Sequence, residues 1–217
     1  MSTAKIKSRT LKMAEMSMLT AIILILGLIP PGYIQIGVMK LTLLQIPVAV
    51  GAIMIGPLAG LFLGGVFGLT SFIQCLGMDA FGVAMLALNP FYTVVLCMVP
   101  RLLMGWLTGM VFYGLKRYER FRIISGGVTC LSGAVFNTVF FMSALMLLFG
   151  RGTVIDVLTP LYDGHVPSGL LNAENIIIFC AVFIGVNAVI EAIVCTVLGS
   201  AIAPALMKAH KRLNDES

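Results

Sequence analysis

The sequence has very little charge for its length. Only 11% of its 217 residues are Asp, Glu, Lys or Arg, whereas 59% are hydrophobic, and the mean hydropathy is +1.06. It has one tryptophan, and its two histidines lie outside the apolar runs. Long apolar runs with few charges are typical of membrane spans. The composition therefore predicts a chain that is embedded in lipid and excludes a soluble globular protein.

The sequence also lacks the motifs of several kinds of chemistry. Its five cysteines lie within apolar runs and form no C-x-x-C pair, so we expect neither a zinc site nor a disulfide framework. It has no P-loop and no H-E-x-x-H motif. No histidine lies at membrane depth, where an intramembrane serine protease would need its base. We therefore expect no catalytic residues, no metal and no cofactor, and we expect that the protein is not an enzyme.

The positive charges are concentrated beside the apolar runs. Eleven of the 14 Lys and Arg residues form three clusters: Lys5, Lys7, Arg9 and Lys12; Lys116, Arg117, Arg120 and Arg122; and Lys208, Lys211 and Arg212. Basic residues near span ends are retained in the cytoplasm. This pattern explains the pI near 9.1 without nucleic-acid binding. It predicts an even number of spans with the N- and C-termini both cytoplasmic.

The apolar runs predict an all-α, polytopic membrane protein with six transmembrane helices in a single integral membrane domain, 1–217. The predicted helices are about 13–29, 41–55, 58–76, 90–115, 124–149 and 176–205. Pro47 lies inside the short second run, so we expect a kinked or partly re-entrant helix there. We interpret the first run as a retained span and not as a secretory signal. The segments 30–40, 77–89 and 150–175 are then outer loops.

Two ionisable residues, Arg101 and Glu191, lie within the apolar runs. A charge at this depth is costly and usually marks function. One hypothesis is that the two residues pair and tie the fourth and sixth helices together. The other is that Arg101 faces a cavity open to the outside and binds an anionic ligand, since a guanidinium binds a carboxylate through two hydrogen bonds. Both hypotheses hold if Glu191 orients Arg101.

Several polar residues lie near the same depth or at the outer ends of the runs. Each amide alone is as consistent with a bond between helices as with a ligand contact, but together with Arg101 they favour a polar cavity. The further candidate ligand-binding residues are Asn137, Asn187, Gln74, Asn89, Lys40 and Tyr92. Asn187 lies four residues before Glu191 and so on the same helical face.

Small residues form two patterns. Gly60, Gly64 and Gly68 make a continuous small-x-x-x-small ridge, for which we expect close packing inside the protein. A weaker version, Ser17-x-x-x-Ala21, lies on the first helix. A small-residue face on an outermost helix is suited to docking a partner.

The run LTLLQIPVAVGAIMIGPLAG from Leu41, followed by GGVFGLTS from Gly64, resembles the second and third helices of the substrate-binding S components of energy-coupling factor (ECF) vitamin transporters. The size, six helices and cytoplasmic ends agree with that family. The resemblance implies a protein of the bacterial plasma membrane that captures a water-soluble vitamin from outside. It also implies partners, namely a membrane T component and two cytoplasmic ATPase subunits. Because this sequence has no P-loop, those partners must hydrolyse the ATP.

The resemblance further implies a docking face for the T component and a class of ligand. The face corresponds to Ala14, Ser17 and Ala21 here, where Ser17 replaces an alanine of the family's A-x-x-x-A pattern. The LTLLQIP and GPLAG stretches most resemble pantothenate-type S components, and Arg101 suits the carboxylate of pantothenate. Riboflavin, folate and a queuosine precursor remain open. Tyr33, Tyr92 and Trp106 are aromatic residues that riboflavin could stack on.

Two other classes compete with this interpretation. A stand-alone, proton-coupled secondary transporter of a small anionic solute would use Glu191 as the proton carrier, although the sequence shows no internal repeat with paired broken helices. A purely structural membrane subunit would bind no ligand, so stabilisation by a ligand would argue against it.

Overall fold

The computed structural model describes residues 2–28, 33–36, 39–115, 125–161 and 189–200. Over these ranges the chain forms seven helices and one hairpin of two short strands. The elements are α1 (Ser2–Leu28), β1 (Tyr33–Ile36), β2 (Met39–Thr42), α2 (Gln45–Met54), α3 (Pro57–Cys75), α4 (Ala80–Leu88), α5 (Pro90–Leu115), α6 (Ser125–Leu161) and α7 (Val189–Ser200). The hairpin is the exception to the all-α prediction. It is antiparallel and falls partly within the predicted first outer loop.

Among the described residues, four helices are long and apolar enough to cross a bilayer, for which about 20 residues are needed. These spans are Thr10–Leu28, Pro57–Cys75, Pro90–Leu115 and Gly126–Gly150, and α2 and α7 are apolar but shorter. Large apolar side chains such as Leu58 and Phe62 point outward, as contact with lipid requires. The six-span topology and the cytoplasmic ends stay predictions.

Helices α3 and α5 pack backbone to backbone along the glycine ridge. The contacts are Gly60 with the carbonyl of Gly105, Gly64 with that of Arg101, and Gly68 with that of Cys97. A Cβ atom at any of these three glycines would collide with the α5 backbone. The internal packing role predicted for the ridge is confirmed. This packing places Arg101 directly against α3.

The short helix α2 is enclosed by the other helices. Every residue from Gln45 to Ile53 is buried, and the main hydrophobic core forms around Leu44 and Val48 of this region. The helix begins at Gln45, because residues up to Thr42 belong to β2. Pro47 therefore lies in the first helical turn, where its missing N–H has no intrahelical partner to lose. The kink predicted at Pro47 was wrong for this reason.

Two predicted outer loops contain helix. The segment 77–89 includes α4, which begins where the Asp79 side chain accepts a hydrogen bond from the Gly82 N–H at 3.1 Å. The segment 150–175 begins with a further stretch of α6 as far as Leu161, after a break at Gly150, whose φ is +73°. Both stretches are short or interrupted, so they lack the long apolar period from which the spans were predicted.

Candidate functional site

Arg101 satisfies a backbone group that its neighbouring proline leaves open. Pro100 lies inside α5 and has no N–H, so the carbonyl of Leu96, four residues earlier, receives no helical hydrogen bond from it. Nη1 of Arg101 donates to that carbonyl at 2.9 Å. The side chain therefore lies back along its own helix, toward the N-terminal end of α5.

Two phenylalanine rings flank the guanidinium. Its Cζ atom is 5.6 Å from the ring centre of Phe67 on α3 and 4.6 Å from that of Phe141 on α6. Both distances are within the range of cation–π attraction. The half-buried Arg101 side chain thus lies among α3, α5 and α6 instead of pointing into lipid.

Glu191 on α7 is the second ionisable residue, and only 5% of it is exposed. Its Oε1 accepts a hydrogen bond from Gln45 Nε2 at 2.5 Å, and the backbone N–H of Thr42 also bonds the carboxylate. Arg101 attracts the same carboxylate electrostatically. These two hydrogen-bond donors come from the β2–α2 region. The pairing of Glu191 with Arg101 stays a prediction.

Gln45 is the site residue that sequence reasoning missed. It is the first residue of α2 and is 2% exposed. A carboxylate oxygen accepts hydrogen bonds, so the amide must turn its NH₂ group toward Glu191. Its Oε1 is buried and has no hydrogen-bond partner among the described residues. The available signal was one glutamine within the apolar LTLLQIP run, which had served only to identify the family resemblance.

Asn137 on α6 provides a second open acceptor. The residue is 9% exposed, and its Oδ1 is buried without a hydrogen-bond partner in the part of the chain that the structure describes. It lies one helical turn before Phe141, the ring that covers Arg101. A buried acceptor left unsatisfied costs about 1–3 kcal/mol. Together with a guanidinium, two such oxygens are suited to a ligand that has both hydrogen-bond donors and an anionic group.

Three other predicted ligand residues have structural contacts of their own. Gln74 Nε2 donates at 2.7 Å to the carbonyl of Gly27, one of the last carbonyls of α1, and so joins α1 to α3. The Asn89 side chain accepts from the first N–H groups of α5, at 3.1 Å and 3.3 Å, and caps that helix. Tyr92 is exposed and packs edge-on against Phe149, at 6.0 Å between ring centres.

Tyr92 lies nine residues before Arg101, which corresponds to about 14 Å along the helix. Spacing along the helix therefore separates Tyr92 and Asn89 from Arg101. The roles of Tyr92, Asn89 and Gln74 in ligand binding stay predictions. Asn187 lies outside the described residues. For Lys40 the structure describes the backbone, as part of β2, but not the side chain.

The family described as "ECF transporter, substrate-specific component" matches residues 11–203 of this chain. The chain belongs to this family. It is therefore the substrate-binding component, or S component, of a transporter, and not a member of an enzyme family. Several apolar helices and the bacterial relatives agree with a multi-pass protein of the bacterial plasma membrane.

Two curated relatives carry names that mention pantothenate. The chain is 34% identical over 116 residues to the pantothenate transporter PanT of Leuconostoc mesenteroides, a match that covers 52% of this chain and 54% of that protein. It is 27% identical over 217 residues to the pantothenic acid transporter PanT of Lactococcus lactis, covering 94% of this chain and 97% of that protein. The first match thus spans about half of its relative.

The S component exposes one face of α1. Ala14, Ser17 and Ala21 all lie on this face, which we call the α1 outer face. The opposite side of the helix is buried, with Leu19 and Ile23 in the main core. The small side chains predicted to dock a partner are therefore accessible, and they lie among exposed large apolar residues. Those residues are Met13, Met18, Leu24, Ile25 and Leu28.

The described residues also form an apolar groove of about 520 Å³ between α6 and α7. Its one polar lining residue is Thr196, whose hydroxyl already donates to the carbonyl of Ala192 at 2.6 Å. This groove is suited to an acyl chain or another apolar surface. It offers nothing that would hold a carboxylate, so we place the candidate vitamin site at Arg101.

Proposed function

We propose that this S component binds pantothenate from the outer side of the membrane for ATP-driven uptake. Its family supports a vitamin-binding transporter subunit, and the names of the Leuconostoc and Lactococcus relatives support pantothenate as the vitamin. Both relatives are similar to this chain at modest identity. The identity of the ligand must therefore also be argued from the chemistry of the site.

Two observations carry the proposal. The guanidinium of Arg101 lies among α3, α5 and α6, and the amide oxygens of Gln45 and Asn137 are buried without hydrogen-bond partners among the described residues. Pantothenate has a carboxylate at one end, hydroxyls at the other and an amide between them. Arg101 binds the carboxylate, since a guanidinium offers parallel N–H donors to its two oxygens. The oxygens of Gln45 and Asn137 accept from the hydroxyls or the amide N–H. Asn187, Lys40, Gln74 and Tyr92 are proposed as further contacts, whereas Asn89 caps α5 and supports the site from there.

Riboflavin, folate and a queuosine precursor are the alternative ligands. Each has a flat ring system, which protein sites commonly bind by stacking on aromatic side chains. The two rings near the proposed site, Phe67 and Phe141, already flank the Arg101 guanidinium. This arrangement favours a small, non-aromatic anion.

The assembly follows from the family and the α1 outer face. We place six spans in the membrane with both ends in the cytoplasm, in agreement with the eleven clustered basic residues. A membrane T component docks on Ala14, Ser17 and Ala21, where small residues permit close helix approach. Two cytoplasmic ATPases supply the energy, because the sequence contains no P-loop.

A proton-coupled secondary transporter is the second candidate, and the buried Glu191 carboxylate is the observation that favours it. Against this role, the carboxylate already accepts hydrogen bonds from Gln45 and Thr42. The two functions differ in uptake. Cells that express the chain alone accumulate pantothenate if it is a secondary transporter, whereas uptake by an S component requires co-expressed T and ATPase subunits.

The direct test is ligand binding by the purified protein in detergent or nanodiscs, measured by calorimetry or thermal shift. We expect pantothenate to bind and to stabilise the protein, and riboflavin and folate not to do so. Arg101→Ala should weaken pantothenate binding by about 10- to 150-fold, as expected for a hydrogen bond to a charged group worth about 1.5–3 kcal/mol.

The matched ligand control is pantothenol, in which an alcohol replaces the carboxylate. Its affinity should change little between the wild-type protein and Arg101→Ala. An equal loss for both ligands would show that the substitution damages the fold and that Arg101 does not bind the carboxylate. Absence of pantothenate binding by the folded wild-type protein would refute the proposed ligand.

A further inference from the structure

We propose that Gln45 is a specificity-determining residue that recognises a hydroxyl group of the ligand, and that Glu191 is the positioning residue that orients it. This inference rests on the proposed function and deepens it. It assigns to Gln45 a role that the sequence had not suggested. It also makes Glu191 a support for the site, neither a contact for the ligand nor a carrier of protons.

The hydrogen bond between the Gln45 amide and Glu191 determines how this amide is oriented. On one side, Nε2 donates to Glu191 Oε1, and the same carboxylate is bonded by the Thr42 N–H. A flipped amide would put its own oxygen against the carboxylate oxygen, which is repulsive. In this orientation the other side of the amide is Oε1, an acceptor. Since Gln45 is 2% exposed, bulk water does not hydrogen-bond either of its polar side-chain atoms.

The open oxygen then selects the kind of group that can enter. Oε1 of Gln45 has no hydrogen-bond partner among the described residues, so it is satisfied only by an incoming donor such as O–H or N–H. A carboxylate would place negative charge beside an acceptor and near the Glu191 carboxylate, which is unfavourable. The anionic end of the ligand is therefore directed to Arg101, and the donor-rich neutral end to Gln45.

Asn137 contributes the second acceptor from another helix. Its Oδ1 is equally buried and without a partner in the described part of the chain, and α6 packs directly against α2. Two buried acceptors on neighbouring helices match a ligand end with more than one donor. A site with buried polar groups of this kind rejects an analogue that lacks the donor, because the acceptor is then left unsatisfied.

The experiment compares pantothenate with two analogues, each of which has one hydroxyl replaced by hydrogen. Dissociation constants are measured for the wild-type protein, Gln45→Met, Glu191→Gln and the control Thr108→Val. For at least one analogue we expect the wild-type protein to bind about tenfold more weakly than it binds pantothenate. In Gln45→Met this preference should fall to less than about threefold, because no acceptor remains at that position to be left unsatisfied.

Glu191→Gln tests the positioning role and keeps the volume of the side chain. A carboxamide at this position can donate as well as accept, so the Gln45 amide can flip and present its NH₂ to the ligand. The preference for pantothenate over an analogue with a methyl ether in place of the hydroxyl should fall in this variant. The ether oxygen only accepts, so it suits the flipped NH₂ of Gln45 and not its oxygen. Pantothenol and pantothenate should lose affinity equally, because Arg101 is unchanged. This variant also carries the test if Gln45→Met does not fold.

Thr108→Val removes a buried hydroxyl that donates to the Met104 carbonyl of its own helix, and it should keep the full preference for the hydroxyl. A Gln45→Met protein that keeps the wild-type preference for both hydroxyls would overturn the inference and leave pantothenate as the ligand. So would a Glu191→Gln protein that discriminates against the methyl ether as strongly as the wild-type protein does. A wild-type protein that binds pantothenate without preferring either hydroxyl would do the same. A folded wild-type protein that does not bind pantothenate would remove the proposed function as well.

Discussion

The proline and arginine in the middle of α5 can be tested as one unit. Pro100 has no N–H that could bond the Leu96 carbonyl, and Nη1 of Arg101 donates to this carbonyl instead, at 2.9 Å. The hydrogen bond from Arg101 therefore stabilises the helix only because Pro100 is there. Substituting both residues should then cost less than the sum of the two single substitutions.

The expected magnitudes follow from the contacts. Arg101→Ala leaves the Leu96 carbonyl without this donor inside the protein, at a cost of about 1–3 kcal/mol. It also removes two cation–π contacts, each worth about 0.5–1 kcal/mol. In a Pro100→Ala background, the new N–H at position 100 bonds the carbonyl, so only the cation–π part is lost. The interaction free energy between the two substitutions is therefore about 1–3 kcal/mol.

The measurement is the free energy of unfolding of the four proteins of this cycle in mixed detergent micelles. The matched control combines Arg101→Ala with Pro90→Ala. Pro90 is the first residue of α5, where an N–H would have no partner within that helix. The control cycle should be additive to within about 0.5 kcal/mol. Additivity in the Pro100 cycle as well would refute the reasoning and leave Arg101 without a role in the helix.

Three further predictions concern packing, docking and capping. Gly105→Leu should lower the free energy of unfolding by about 1–3 kcal/mol or more, because the leucine side chain would collide with the carbonyl of Gly60. An unchanged unfolding curve would contradict the close packing of α3 on α5. Ala21→Trp on the α1 outer face should abolish pantothenate uptake in cells that express the full transporter, while the purified protein keeps its pantothenate affinity. A loss of affinity would place this face in the ligand site. Asn89→Ala should lower the free energy of unfolding by about 1 kcal/mol, the usual contribution of a helix N-cap, and Asn89→Asp should keep most of that contribution. A loss of pantothenate affinity without a loss of stability would make Asn89 a ligand contact instead.

Much of the membrane architecture could be predicted because the bilayer imposes simple rules. A span must be long and apolar, so the four long helices are visible as runs of sequence. A charge inside such a run is rare, and this rarity alone singled out Arg101 and Glu191. The glycine ridge of α3 could also be predicted from the sequence, since a small residue at every fourth position permits two helices to pack closely.

Other features left no comparable pattern. The hairpin is four residues long in each strand, and α4 is nine residues long, so neither has the length that periodicity requires. The partners of polar residues were also hidden. Gln74 bonds the end of α1, 47 residues away, and Gln45 bonds Glu191, 146 residues away. Nothing local in the sequence specifies such pairs.

The sequence by itself determined that this chain lies in a membrane, that it belongs to a family of vitamin-binding transporter subunits, and which residues carry unusual charge at membrane depth. These are properties of single runs and single residues. Only the tertiary structure decided that Phe67 and Phe141 flank Arg101, and that Gln45 meets Glu191 with its own oxygen left open. The reason is physical, because a hydrogen bond depends on where two atoms meet in space, and the helices bring those atoms together only when they pack.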